Sequence, residues 1–166
     1  MDGNLRVMEL EFRALHTVDL KAATGIWHQG WIDGHAAITP PELARLRTRA
    51  SFADRLERLL PYTRVAADKD ILGFSILKQD ELYQFYVAPS ARGKGVAVRL
   101  LLDAESQLRQ AGITKAWLAC AIGNDRAERF YQKSGWLDAG TEVINVDTTA
   151  GPFPLEIRRL EKDLSV

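Results

Sequence analysis

The sequence predicts an α+β fold, a mostly antiparallel sheet flanked by helices and containing one parallel crossover. Three observations predict it. The opening third, to Leu60, carries apolar residues at helical spacing; residues 62–87 break into short strand-like runs joined by polar turns; and a strongly amphipathic helix then lies between two strands. The chain has 166 residues, 46% apolar and 27% charged, so one domain spanning residues 1–166 is expected. A domain of this size buries about 70% of its unfolded surface, enough for a core without staples.

The elements follow in order. Arg6 to Ala14 alternates loosely and reads as a first strand, and Thr17 to Gly30 sets Leu20, Ala23, Trp27 and Gly30 at helical spacing. Asp33 and Gly34 read as the turn after it. Thr39 with Glu42 around Pro40, and Ser51 with Asp54, form two capping boxes, giving two short helices through Leu60. Strands follow at Thr63 to Ala67, Ile71 to Lys78 and Glu81 to Val87, joined by the Asp68-Lys69-Asp70 and Gln79-Asp80 turns. From Gly95 to Ala111 the residues Ala97, Leu100, Leu101, Ala104, Leu108 and Ala111 make one apolar stripe, ended by Gly112. Ala116 to Ala121 reads as a buried strand, closing a strand–helix–strand unit with a right-handed crossover. A helix capped by Asn124 runs to a stop at Gly135, with Asp125 and Lys133 complementing its dipole. Two last strands, Thr141 to Val146 and Leu155 to Leu160, flank a loop containing Gly151, Pro152 and Pro154.

Composition excludes several function classes. Lys plus Arg and Asp plus Glu stand at 22 each, so no global positive field is available to grip a nucleic acid or an anionic membrane, and neither is an expected partner. The single cysteine, Cys120, removes disulfide scaffolds and cysteine-rich metal sites, so no metal is expected and a reducing, cytoplasmic setting fits. Met1 to Leu10 lacks the pattern of an export signal, and the apolar runs fall far short of the ~20 residues of a membrane span.

Any anion must therefore be captured locally, and one segment is suited to it. Arg92-Gly93-Lys94-Gly95-Val96-Ala97 joins a strand to the strong amphipathic helix, where free amides and the helix dipole converge. Gly93 and Gly95 let a phosphate approach the backbone, while Arg92 and Lys94 add charge. A Walker loop would need Ser or Thr after Lys94, where Gly95 stands. A dinucleotide fingerprint would need glycine at Val98 and an acid near position 115, which is Lys.

Two motifs together resemble the GNAT superfamily of N-acetyltransferases. The strand Leu82 to Val87, Ala88-Pro89 and then Arg92, Gly95 and Ala97 resemble its acetyl-CoA motif; Asn124, Ala127, Phe130-Tyr131 and Gly135-Trp136 resemble the segment after its fifth strand. The resemblance runs from Leu82 to Trp136, about a third of the chain. It implies a mixed, mostly antiparallel sheet splayed between its fourth and fifth strands, with acetyl-CoA in the gap. The pantetheine arm would pair with backbone near Tyr86 and Val87, the pyrophosphate would sit on the amides from Gly93 to Ala97, and Asn124 and Tyr131 would complete the cofactor site.

The resemblance also implies roles in catalysis. Acetyl transfer needs a neutral amine, a polarised carbonyl and a proton for the departing thiolate. Tyr131 falls where the family places the acid. Glu81 falls where some members place a base, whereas Ala119 stands where others carry a fifth-strand glutamate. A backbone amide at a strand bulge around Val87 would polarise the carbonyl. Cys120, inside an apolar run, reads as a buried hydrophobe, so direct transfer in a ternary complex is expected over an acetyl-cysteine. Trp27, His28 and Trp31, with Asp33 and His35, are the candidates to meet a small amine or peptide acceptor. The rival readings are a non-catalytic acyl-CoA-binding regulatory module on the same fold and a nucleotide-phosphate binder through the same loop. An exposed strand edge near the C-terminus offers a place for a second copy to pair as a homodimer.

Overall fold

A computed structural model describes residues 9–165. Its strands are β1 (Glu11–Ala14), β2 (Thr63–Ala67), β3 (Ile71–Lys78), β4 (Glu81–Val87), β5 (Lys115–Ala121), β6 (Leu137–Val146) and β7 (Phe153–Asp163). Its helices are α1 (Leu20–His35), α2 (Pro41–Ala44), α3 (Arg49–Arg58), α4 (Val96–Gln110) and α5 (Asp125–Lys133). The seven strands form one sheet in the order β1-β2-β3-β4-β5-β7-β6, antiparallel throughout except where β4 meets β5.

The sheet divides into two halves. β4 is bound along its length to β3, and β5 along its length to β7, but β4 and β5 pair only at Glu81 with Trp117. Beyond that pair the strands part. The wedge between them is propped by aromatic rings: Phe85 stacks on Phe130 at 5.8 Å between centroids and meets the edge of Tyr131 at 6.1 Å. Trp27, Phe52, Leu56, Phe74 and Ile76 form the core beneath α1 and α3. Leu101, Leu108, Leu118, Trp136 and Leu160 form another beneath α4 and α5. Glu105, on α4, is buried in that second core, where it accepts hydrogen bonds from Trp136 Nε1 (3.1 Å) and Lys162 Nζ (2.8 Å), tying the helix to β7.

The strand ranges expected for β2, β3 and β4 agree with the structure, because alternation and turn residues are local signals. Several boundaries differ. β1 begins at Glu11, and Arg6 to Met8 of the expected strand lie outside the described residues. The expected turn at Asp33-Gly34 is helical, since Gln29 bonds Asp33 one turn on (2.9 Å) and carries α1 through to His35. Neither expected capping box forms. The Thr39 hydroxyl donates instead to the His35 carbonyl (2.6 Å), and α3 starts earlier because Thr48 accepts from the Ser51 amide (3.2 Å). β6 and β7 outrun their expected ranges because they pair with each other nearly end to end, interrupted by an irregularity between Asp138 and Thr141.

Candidate active site

The parted strands open a cleft of about 780 Å³. Its walls include Leu82 to Val87 of β4, Leu118 to Ala121 of β5, the loop before α4, the start of α5 and the end of α1. At one end Gly93 (φ +75) and Gly95 (φ +77) both adopt the left-handed conformation, and a Cβ at either would meet nothing within 4 Å. Backbone geometry, and not crowding, therefore requires glycine there. Among the described residues the amides of Gly93 through Val98 donate to no protein oxygen, so they stay available at the positive end of α4. Arg92 is held there by Asp33 of α1 (3.4 Å). Val96, Ala97, Tyr86 and Val87 also line the cleft, whereas Lys94 is exposed beside it and is not part of its wall.

Asn124 plays two parts. Its side chain accepts the Ala127 amide (3.4 Å), capping α5, and it lies against Gly34 of α1 at the rim of the cleft. The capped helix then presents Tyr131 to the cleft, only 9% exposed, with burial raising its pKa well above the usual phenol range. Cys120 lines the same wall; burial pushes its thiol up to about 11, which fits an unreactive side chain. α1 can close the opposite side because Gly30 has no Cβ: one built there would lie 2.3 Å from the Tyr86 ring. His35, against Tyr86 at 6.2 Å, is held neutral, its pKa pushed down to about 4 by burial and then by the charge of Arg47.

Glu81 stands at the closed end, where β4 and β5 still pair, and is not part of the cleft wall. Burial pushes its carboxyl up to about 7; Lys78 opposes that rise and Asp80 adds to it. The bulge expected around Val87 lies elsewhere. Val87 pairs regularly with Gly73, while Leu77–Leu82 and Ile76–Gln84 leave Tyr83 as the extra residue of β4.

The expected acceptor residues divide. Trp27 is 1% exposed and packs on Phe52 and Phe74, so it belongs to the core and not to a binding surface. His28 and Trp31 are half-buried against Phe52 and lie outside the cleft wall, whereas Asp33 and His35, one turn further along α1, form part of it. Four residues escaped the sequence reading. Arg55 donates to the Tyr83 hydroxyl (2.8 Å), Tyr83 donates to Asp147 (3.2 Å), and Arg47 donates to the Asp147 carbonyl (2.6 Å). For Arg55 a signal was present: it sits within the buried stripe of Ser51, Phe52 and Leu56, where a charged residue is out of place.

Comparison with known proteins agrees with this geometry. The model of the acetyltransferase (GNAT) family matches residues 27–136. An uncharacterized N-acetyltransferase of Mycobacterium tuberculosis is 30% identical over 84 residues, 48% of this chain and 54% of the relative, so the match spans about half of that protein. A spermidine N(1)-acetyltransferase of Thermoplasma acidophilum is 26% identical over 145 residues, 78% of this chain and 89% of its own. The crystal structure of a PaiA N-acetyltransferase from Thermoplasma acidophilum in complex with coenzyme A superposes with a TM-score of 0.66 at 23% identity, covering 94% of this chain and 99% of that one. With a split sheet, an open helix N-terminus beside it and a family match over most of its length, this chain belongs to the GNAT family of acetyltransferases.

Proposed function

We propose that residues 1–166 act as one catalytic unit, moving an acetyl group from acetyl-CoA to a primary amine by direct attack in a ternary complex. The observation that carries this reading is the parting of β4 and β5 beyond Glu81, with unpaired helix amides at one end of the gap and the Tyr131 phenol inside it. The amides from Gly93 to Ala97, with Arg92 and Lys94, would hold the pyrophosphate. The inner edge of β4 at Tyr86 and Val87 would pair with the pantetheine arm as an added strand does, with Asn124 at the rim. Acetyl-CoA supplies the activated thioester.

The chain's own groups then divide the proton work. Glu81, with a pKa near 7, takes the amine proton directly or through water as the new C–N bond forms. An inner-edge amide of β4 polarises the carbonyl. Tyr131 gives its proton to the sulfur as the C–S bond breaks. Burial raises the phenol, but the same desolvation acts on the departing thiolate, so the gap between the two acids governs the transfer. Incubation with acetyl-CoA and an amine panel, following free thiol and acetylated product by mass spectrometry, tests the reading. Tight coenzyme binding with no thiol release from any amine would overturn it in favour of a non-catalytic acyl-CoA-binding module.

A further inference from the structure

Arg47 and Arg55 are 8% and 7% exposed, yet among the described residues neither forms an ion pair with a carboxylate. Each makes one side-chain hydrogen bond, Arg47 to the Asp147 carbonyl and Arg55 to the Tyr83 hydroxyl, although a guanidinium offers five N–H donors. The only side-chain nitrogen and oxygen atoms sealed without a partner among the described residues are His35 Nδ1 and Ser75 Oγ. The guanidinium nitrogens that lack a protein acceptor therefore still touch accessible space. The nearest carboxylate of the group, Asp147, is occupied by Tyr83 at 3.2 Å and Lys78 at 3.5 Å. Arg55 lies over the Trp27 ring at 4.6 Å, which offsets only part of the cost of burying its charge. Two buried like charges, short of carboxylate partners and with donors not fully sealed, next to a Tyr83 that lines the cleft, favour an oxyanion beside them.

We infer that the acceptor amine carries a carboxylate, and that Arg47 and Arg55 hold it beside Tyr83 while the amine reaches the thioester. This deepens the acetyl-transfer reading and rests on it. Tyr83 joins the two sites: it lines the cleft, accepts from Arg55, and stands two residues after Glu81 on β4. Asp147 stands in the same group, so a singly charged carboxylate suits it better than a doubly charged phosphate. A polyamine would bring positive charge against Arg47, Arg55 and Lys78, and is disfavoured.

The test measures kcat/KM by thiol release for α-amino acids against their own carboxamides, with phosphoethanolamine and spermidine alongside. The expected result is a preference for acid over carboxamide of about 10- to 100-fold, the worth of one charge-assisted hydrogen bond. Arg47→Gln and Arg55→Gln should bring that ratio toward one through the acceptor KM, with acetyl-CoA affinity by calorimetry unchanged; Arg55→Lys should restore part of it. A merely structural role for the arginines would lower both acceptors together and leave the ratio intact. The wild-type ratio decides the matter should a variant not fold. Equal use of acid and carboxamide, or a preference for spermidine or phosphoethanolamine, overturns the inference while leaving acetyl transfer standing. Calorimetric titration of an N-acetyl amino acid into the CoA-loaded protein separates the two claims: binding lost in Arg47→Gln, without turnover of any amine, would uphold the carboxylate site and reject the transfer.

Discussion

At the end of the cleft proposed to hold the cofactor, the donors are backbone amides of one continuous segment, residues 93–98, running from a loop into α4. At the proposed acceptor site they are side chains brought from separate segments, of which Tyr83 on β4 lines the cleft, while Arg47 before α3, Arg55 within it and Asp147 after β6 are joined to it by hydrogen bonds. The first end holds no buried charge of its own and uses the field of a helix terminus. The second end buries two guanidiniums. On the proposed reading, the contrast separates a fixed partner from a variable one. Amides of a helix start would hold a diphosphate largely through the backbone, whereas the proposed acceptor site could be rebuilt one side chain at a time without disturbing the helix.

Substitutions sharpen or break this contrast, the largest effect first. Tyr131→Phe should lower kcat by about 100-fold or more, the ordinary worth of a positioned acid, with coenzyme affinity by calorimetry unchanged; full turnover would remove the phenol from the mechanism. Glu81→Gln should lower kcat/KM by about 10- to 100-fold and abolish a rise in kcat/KM centred near pH 7 that the wild type shows. The same carboxyl makes a stability prediction. Its folded pKa, about 7, lies above the unfolded value of about 4.3, so its contribution is fully present below pH 4.3 and is lost as pH climbs through 7. Thermal melts should show that decline in the wild type and not in Glu81→Gln.

Smaller effects probe the cofactor end. At Gly95 any L-residue meets a strained φ of +77, costing about 1–2 kcal/mol. Gly95→Leu should therefore raise the KM for acetyl-CoA about tenfold while leaving the acid-to-carboxamide ratio alone. A change in that ratio would show that the two ends are not independent. Cys120→Ala should keep most activity, since burial holds the thiol neutral; an acetylated protein trapped in mass spectrometry would break the direct-transfer scheme.

What could be read from the sequence follows the same division. The loop, the helix it opens, the Asn124 cap and Tyr131 depend on spacing within one segment, and the structure brings them to one cleft. Trp27 misled because helical spacing says that a residue faces inward and not what it faces; the core claims it. The capping boxes failed because several hydroxyls compete for each terminus, and the outcome depends on which carbonyl lies nearest after packing. The bulge fell at Tyr83 because strand register is set by the partner strand.

By itself the sequence determined the order of the elements and the glycine turn that opens α4, since backbone angles and helix starts answer to neighbours a few residues away. The split between the fourth and fifth strands, implied by the motif resemblance, is where the structure has it; only the tertiary structure decided which distant side chains meet. Arg47 and Asp147 touch across 100 residues of chain, and Arg55 and Tyr83 across 28. Such meetings require loops to close and layers to pack before any side chain finds its partner, and no local pattern of residues encodes them.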